Sequence, residues 1–283
     1  MPTVQPAAGP TAPDTVGGVA PAFGRARAEG RGVLVGYLPA GFPSVAGAKA
    51  VIAAMVEGGV DVVEVGLPYT DPTMDGPTIA EAADLALRAG TRTRDVLATV
   101  EATAVLGVAT LVMTYWNPVE RYGVERFAAD LAGAGGAGLI TPDLVPDEAG
   151  EWMAASEAHA LDRVFLVAPS SSAPRIAMTA RASRGFLYAV SVMGVTGLRT
   201  ATSAAAPDLV ARCRQSTGIP VGVGLGVSNG DQAAEVAGYA DAVIVGSAFV
   251  RAVLDSPGDG TREVAALAAD LADGVRRPVR PAD

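Results

Sequence analysis

Eight times along the chain a short apolar run without polar alternation ends in a glycine- or proline-containing loop and gives way to a helical pattern, at a spacing of roughly thirty residues. The runs are Val33–Tyr37, one opening near Asp61, Ala109–Met113, Gly138–Ile140, Val164–Val167, Phe186–Val190, Val221–Gly224 and Ala242–Val245. A strand that is apolar on both faces must be covered on both faces. Parallel βα units do this in two ways, as a closed (β/α)8 TIM barrel or as an open doubly wound sheet. The dinucleotide fingerprint that marks many open sheets is incomplete here. Gly222-Val223-Gly224-Leu225-Gly226 falls late, at a strand end, without the full spacing. The expected fold is therefore an α/β single-domain TIM barrel over residues 19–283, preceded by a short disordered leader over residues 1–18, rich in Pro, Ala, Gly and Thr.

Helices are expected over Ser44–Glu57, Ile79–Arg88, Val124–Ala132, Asp147–Ala158, Arg175–Ala182, Asp208–Gln215, Asp231–Tyr239 and Ser247–Leu254. An extra one, Thr93–Val105, fits between the second helix and the third strand. Ala20–Arg31 has a weak helical pattern suited to plugging the bottom of a barrel or lying against it. The tail from Arg276 is expected to fray.

One residue breaks the apolar rule. Glu64 stands inside VDVVEVG, where a carboxylate must be solvated, partnered or held protonated, and an open barrel mouth is the expected place for it. Two more acids follow in the loop, Asp71 and Asp75, which read either as acid/base equipment or as turn and cap residues. In a parallel barrel the loops after the strands converge on the active site. Three late loops carry glycine and hydroxyls: Gly194-Val195-Thr196-Gly197, Gly224 to Ser228, and Gly246-Ser247 at a helix start. Glycine lets backbone N–H groups approach an anion and a helix N-terminus adds free donors, so these loops read as a phosphate cradle that needs no Lys or Arg. Tyr37, Met113, Tyr115 and Tyr188 fall at or just past strand ends, where they can wall an apolar pocket for a flat ligand.

Composition removes other chemistries. With one His, His159, and one Cys, Cys213, neither a zinc set nor a disulfide is expected; no metal site is expected. His159 lies in a helix-to-strand connection at the far end, which also disfavours a Ser-His-Asp arrangement. The single lysine, Lys49, falls in a helix, away from any Schiff-base position. A net charge of -9 argues against nucleic-acid and anionic membrane surfaces, and no apolar stretch has the length of a membrane span. With no secretory signal pattern at the N-terminus, a cytoplasmic protein is expected.

The stretch EVGLPYTDPTMDGPTI closely resembles the second strand and catalytic loop of the tryptophan synthase α subunit family. MTYWNPVERYG, GLITPDLVPDEA, VFLVAPSSS, GFLYAVSVMGVTG and VGLGVS followed by VGSAFV resemble the family's other strand ends in the same order. The resemblance implies cleavage of indole-3-glycerol phosphate to indole and glyceraldehyde 3-phosphate. It implies Glu64 as general acid/base and Asp75 as the acid at the indole nitrogen. Tyr37, Met113 and Tyr188 match indole and substrate contacts. Gly197, Gly226, Gly246 and Ser247 match the phosphate cradle, and Thr196 a loop residue that closes beside Asp75. Tyr69, Thr70, Thr73 and Met74 vary the first loop, and Leu225 stands where the family often has a larger aromatic. The family docks on a β subunit as an α2β2 tetramer, and that partner holds the pyridoxal phosphate; no cofactor is expected in this chain. The matching surface would be Pro68–Asp71 and a loop Asn117–Gly123, although Asn117-Pro118 reads equally as plain turn chemistry. A free-standing indole-releasing lyase and a non-catalytic, ligand-binding allosteric partner are the alternatives.

Overall fold

The computed structural model describes residues 18–190, 205–224 and 226–279. Eight parallel strands close in chain order: β1 (Val33–Pro39), β2 (Val62–Gly66), β3 (Ala109–Met113), β4 (Gly138–Thr141), β5 (Asp162–Val167), β6 (Leu187–Val190), β7 (Val221–Gly224) and β8 (Ala242–Val245), which pairs back to β1. The closed TIM barrel is the fold expected from the sequence, and the open sheet is excluded. The expected leader lies outside the described residues except for Gly18, as do Thr196, Gly197 and Leu225.

Side chains alternate across each strand, so the barrel has two cores. Val33, Val35, Val62, Leu111, Ile140, Val164, Phe186, Ala242 and Ile244 fill the interior. Leu34, Val63, Val65, Val112, Leu139, Phe165, Leu187, Val223 and Val243 face the surrounding helices. Both sets are buried, which is why the strands read as unbroken apolar runs. The first helix, α1 (Ala20–Ala28), stoppers the bottom: Val19, Ala22, Phe23 and Ala26 join the interior cluster, and the Phe23 ring lies 5.6 Å from that of Phe186.

The outer ring, among the described residues, consists of α2 (Val45–Glu57), α3 (Pro77–Arg88), α4 (Thr93–Ala104), α5 (Trp116–Tyr122), α6 (Val124–Gly133), α7 (Gly150–Ala158), α8 (Ala173–Ala182), α9 (Ala205–Ser216), α10 (Gly230–Ala237), α11 (Ser247–Leu254) and α12 (Thr261–Arg276). Two of these differ from expectation. The segment read as a loop from Asn117 is the helix α5; Pro118 sits in its first turn, where its missing N–H would have had no intrahelical partner. The last helix, α12, packs against α2 and α10 through Val264, Ala268, Leu271, Ala272 and Val275. Among the described residues no helix is long and apolar enough to cross a membrane.

Candidate active site

The inward face of β2 carries Val62, then Glu64, then Gly66, with Val63 and Val65 pointing outward. Pairing registers Glu64 beside Tyr37 on one side and Leu111 on the other. Glu64 lines the pocket at the barrel mouth, its expected place, but is only 1% exposed, so of the three ways to tolerate its charge solvation is excluded. Among the described residues neither of its carboxyl oxygens has a hydrogen-bond partner. A lone carboxylate in an apolar wall loses its hydration without compensation, and the group responds by keeping its proton. Burial alone pushes the Glu64 pKa up to about 8, which leaves it predominantly a neutral acid at pH 7.

Asp75 belongs to the loop after the same strand and is half-buried. Its environment is different. The Tyr115 hydroxyl donates to Asp75 Oδ1 at 2.9 Å and accepts the Met74 N–H at 2.9 Å. Burial raises the Asp75 pKa and the hydrogen bond from Tyr115 pulls it back. Asp71, by contrast, is exposed and accepts from the Thr70 hydroxyl, as a turn residue does. Only Glu64 and Asp75 of the three acids line the pocket at the barrel mouth.

Tyr37, Met113, Tyr115 and Tyr188 line that same pocket. Tyr37 and Tyr188 sit within their strands rather than past them, and each needs a glycine on the next strand. A Cβ at Gly66 would collide with the Tyr37 hydroxyl, and one at Gly224 with that of Tyr188. Burial holds both phenols well above the ordinary range, so they stay neutral. Ile79, Leu166 and Ile244 are among the further apolar residues that line it. The sequence reading missed these three; the inward parity of Leu166 and Ile244 was the available signal.

Gly226, Gly246 and Ser247 line the same pocket, Gly246 against Tyr37 and Ile79. Gly226 has φ +72°, a conformation L side chains rarely adopt. Gly246 precedes α11 and Ser247 opens it, so the unpaired N–H groups of that helix end lie at the pocket rim. No described residue lining the pocket is Lys or Arg. Residues outside the site behave structurally: His159 ends α7 with Nε2 2.7 Å from Glu125 Oε1, and Cys213 is buried in α9, its thiol pushed up to about 11 by burial. Among the described residues no three His, Cys, Asp or Glu side chains cluster to hold a metal ion.

A neutral acid, a half-buried acid of different environment, an apolar slot and an anion-binding rim thus share one cavity. The arrangement suits proton transfer to and from a flat, largely uncharged ligand with an anionic tail. The family model described as tryptophan synthase alpha chain matches residues 23–276. The chain is similar to the tryptophan synthase alpha chain of Acidothermus cellulolyticus, with 64% identity over 92% of this chain and 97% of that one. A chain of the solved tryptophan synthase of Mycobacterium tuberculosis superposes with a TM-score of 0.87 at 58% identity, covering 91% of this chain and 98% of that one. The solved tryptophan synthase subunit alpha of Legionella pneumophila superposes with a TM-score of 0.82 at 29% identity, covering 92% and 99%.

Proposed function

The chain belongs to the tryptophan synthase alpha chain family, and from that premise we propose how its barrel mouth works. The enzyme is a carbon–carbon lyase of tryptophan biosynthesis: it cleaves indole-3-glycerol phosphate to indole and glyceraldehyde 3-phosphate by a retro-aldol reaction.

Glu64 is the general acid and then the general base. Its proton passes to C3 of the indole ring, and positive charge develops at the ring nitrogen. Asp75, ionised, accepts the ring N–H and stabilises that charge. The Glu64 carboxylate, now next to the substrate, takes the proton of the glycerol hydroxyl adjacent to the scissile bond. The carbon–carbon electron pair returns to the ring, the hydroxyl carbon becomes an aldehyde, and Glu64 is reset. Each acid contributes on the order of 10² to 10⁴ in rate. Tyr37, Met113, Tyr115 and Tyr188 wall the indole. Gly226, Gly246 and Ser247 bind the phosphate; for Gly197 and Thr196, which lie outside the described residues, the roles of phosphate contact and water exclusion rest on the family resemblance.

The observation that carries this reading is the pairing in one pocket of a buried acid, without a hydrogen-bond partner among the described residues, with a hydrogen-bonded one. It removes the support for a non-catalytic allosteric partner, which required the two acids to be too far apart to share a ligand. We further propose that the chain works in the cytoplasm, holds no cofactor of its own, and docks as an α2β2 tetramer on a β subunit that carries pyridoxal phosphate. The docking face comprises Pro68–Asp71 and α5, where Asn117 Nδ2 donates to the Tyr69 hydroxyl at 3.1 Å. The test is indole release from indole-3-glycerol phosphate with and without that β subunit. Slow turnover that rises sharply with the partner is expected. Fast turnover indifferent to it would replace the docked enzyme by a free-standing lyase, and no turnover in either case would sink the assignment.

A further inference from the structure

The sequence groups Tyr115 with the pocket walls, but its hydroxyl is otherwise engaged. A phenol has one proton to donate, and that of Tyr115 goes to Asp75 Oδ1 at 2.9 Å. One of its lone pairs accepts the Met74 N–H at 2.9 Å, from the residue just before Asp75. The hydroxyl therefore grips the acid and the backbone beside it, and has no donor left for a ligand. Tyr115 itself is 6% exposed and fixed from several directions. It caps the start of α5, the next N–H, of Trp116, donates to the Asp143 carboxylate at 2.9 Å, and the Tyr69 ring lies 5.4 Å from its own. Asp75, in contrast, hangs on a ten-residue connection between β2 and α3, running from Leu67 to Gly76. The acid sits in a connection without regular secondary structure, and the tyrosine sits just past β3 at the start of α5.

We infer that Tyr115 is a positioning residue for the acid at the indole nitrogen: by holding Oδ1 and the Met74 N–H it fixes the loop and leaves Oδ2 to accept the substrate's ring N–H. This rests on the role proposed above for Asp75. The other titratable groups lining the pocket with Asp75 are Tyr37, from β1, Glu64, from β2, and Tyr188, from β6. None replaces the Tyr115 contact. Because the hydrogen bond holds the Asp75 pKa down against burial, its removal raises that pKa, a change that loss of a simple wall contact does not produce.

The test is Tyr115→Phe in the full chain with its β subunit. It is read by steady-state kinetics and by carboxyl-carbon NMR titration of labelled aspartate, with the Asp75 resonance assigned by its loss in Asp75→Asn. Expected are a kcat lower by about tenfold, the worth of one hydrogen bond, with KM within about twofold. The Asp75 titration is expected to move to higher pH, with the acid limb of the rate profile following it. A raised KM with the Asp75 titration unmoved would return Tyr115 to the wall and overturn the inference alone. Full turnover by Asp75→Asn would overturn it together with the role it rests on.

Discussion

Two carboxyl groups, one at each end of the barrel, are almost equally buried and are treated in opposite ways. At the bottom Asp162, the first residue of β5, is 3% exposed; at the top Glu64 is 1% exposed. Asp162 is compensated. It accepts the Val19 N–H at 2.8 Å, which ties down the start of the helical plug, and Arg184 Nε lies 3.8 Å from its other oxygen. Gly18 and Gly185, both at positive φ, press so closely on it that a Cβ at either would strike the carboxylate. Burial raises the Asp162 pKa, and the Val19 N–H and the guanidinium groups of Arg184 and Arg163 pull it back. Nothing among the described residues does this for Glu64. In barrels the bottom face serves stability and the top face chemistry, and here the division is visible in the partners of two carboxyl groups. One is spent on holding a helix in place, and the other is kept proton-loaded.

The contrast breaks most visibly at Glu64→Gln. Turnover should fall by at least about a thousandfold while the protein folds normally. Stability should move the other way. The folded-state pKa of about 8 lies above the ordinary 4.5, so the fold favours the protonated form. Whatever stability Glu64 contributes is complete below about 4.5 and is lost as pH rises towards 8. The glutamine variant has no such loss, so its urea midpoint should overtake that of the natural chain across this window, by the equivalent of a few kcal/mol. Equal midpoints at pH 5 and pH 8 would mean that Glu64 is solvated or partnered after all.

The mirror experiment is Asp162→Ala. It orphans the Val19 N–H and should cost about 1–3 kcal/mol in unfolding free energy, with kcat and KM unchanged. A loss of activity at constant stability would erase the distinction between the two ends. Asp162→Asn is the finest of these probes. It keeps an oxygen for Val19 and gives up the charge facing Arg184 and Arg163, so a loss smaller than that of Asp162→Ala is expected on urea unfolding.

Much of this was legible in the sequence. The bounds of β3, β7 and β8 are those read from their apolar runs, because glycine or polar residues end each run sharply. Glu64 stood out because an acid has no structural reason to interrupt a buried strand. Its surroundings were not legible, since whether Tyr37, Leu111 and Tyr188 would solvate, pair or isolate it depends on strands distant in the chain. The same limit hides the bond from Tyr115 to Asp75, which spans 40 residues, and that from Val19 to Asp162, which spans 143. The sequence reading began β5 at Val164, which left Asp162 outside the strand. Missing α5 had a local cause, as Asn117-Pro118 carries turn chemistry that also fits a first helical turn. Missing α12 had none, for Val264, Ala268, Leu271 and Val275 keep helical spacing in plain view.

The central claim, that Glu64 is held as a neutral acid ready to protonate the indole ring, is tested most directly by titrating it. The protonated carboxyl C=O stretch can be followed by difference infrared spectroscopy between the natural chain and Glu64→Gln, in the buffers used for indole release. The account predicts a band present at pH 7 that disappears with a midpoint near 8, with the alkaline limb of kcat/KM at the same pH. A Glu64 carboxylate already ionised at pH 6, with turnover level through pH 8, would contradict it.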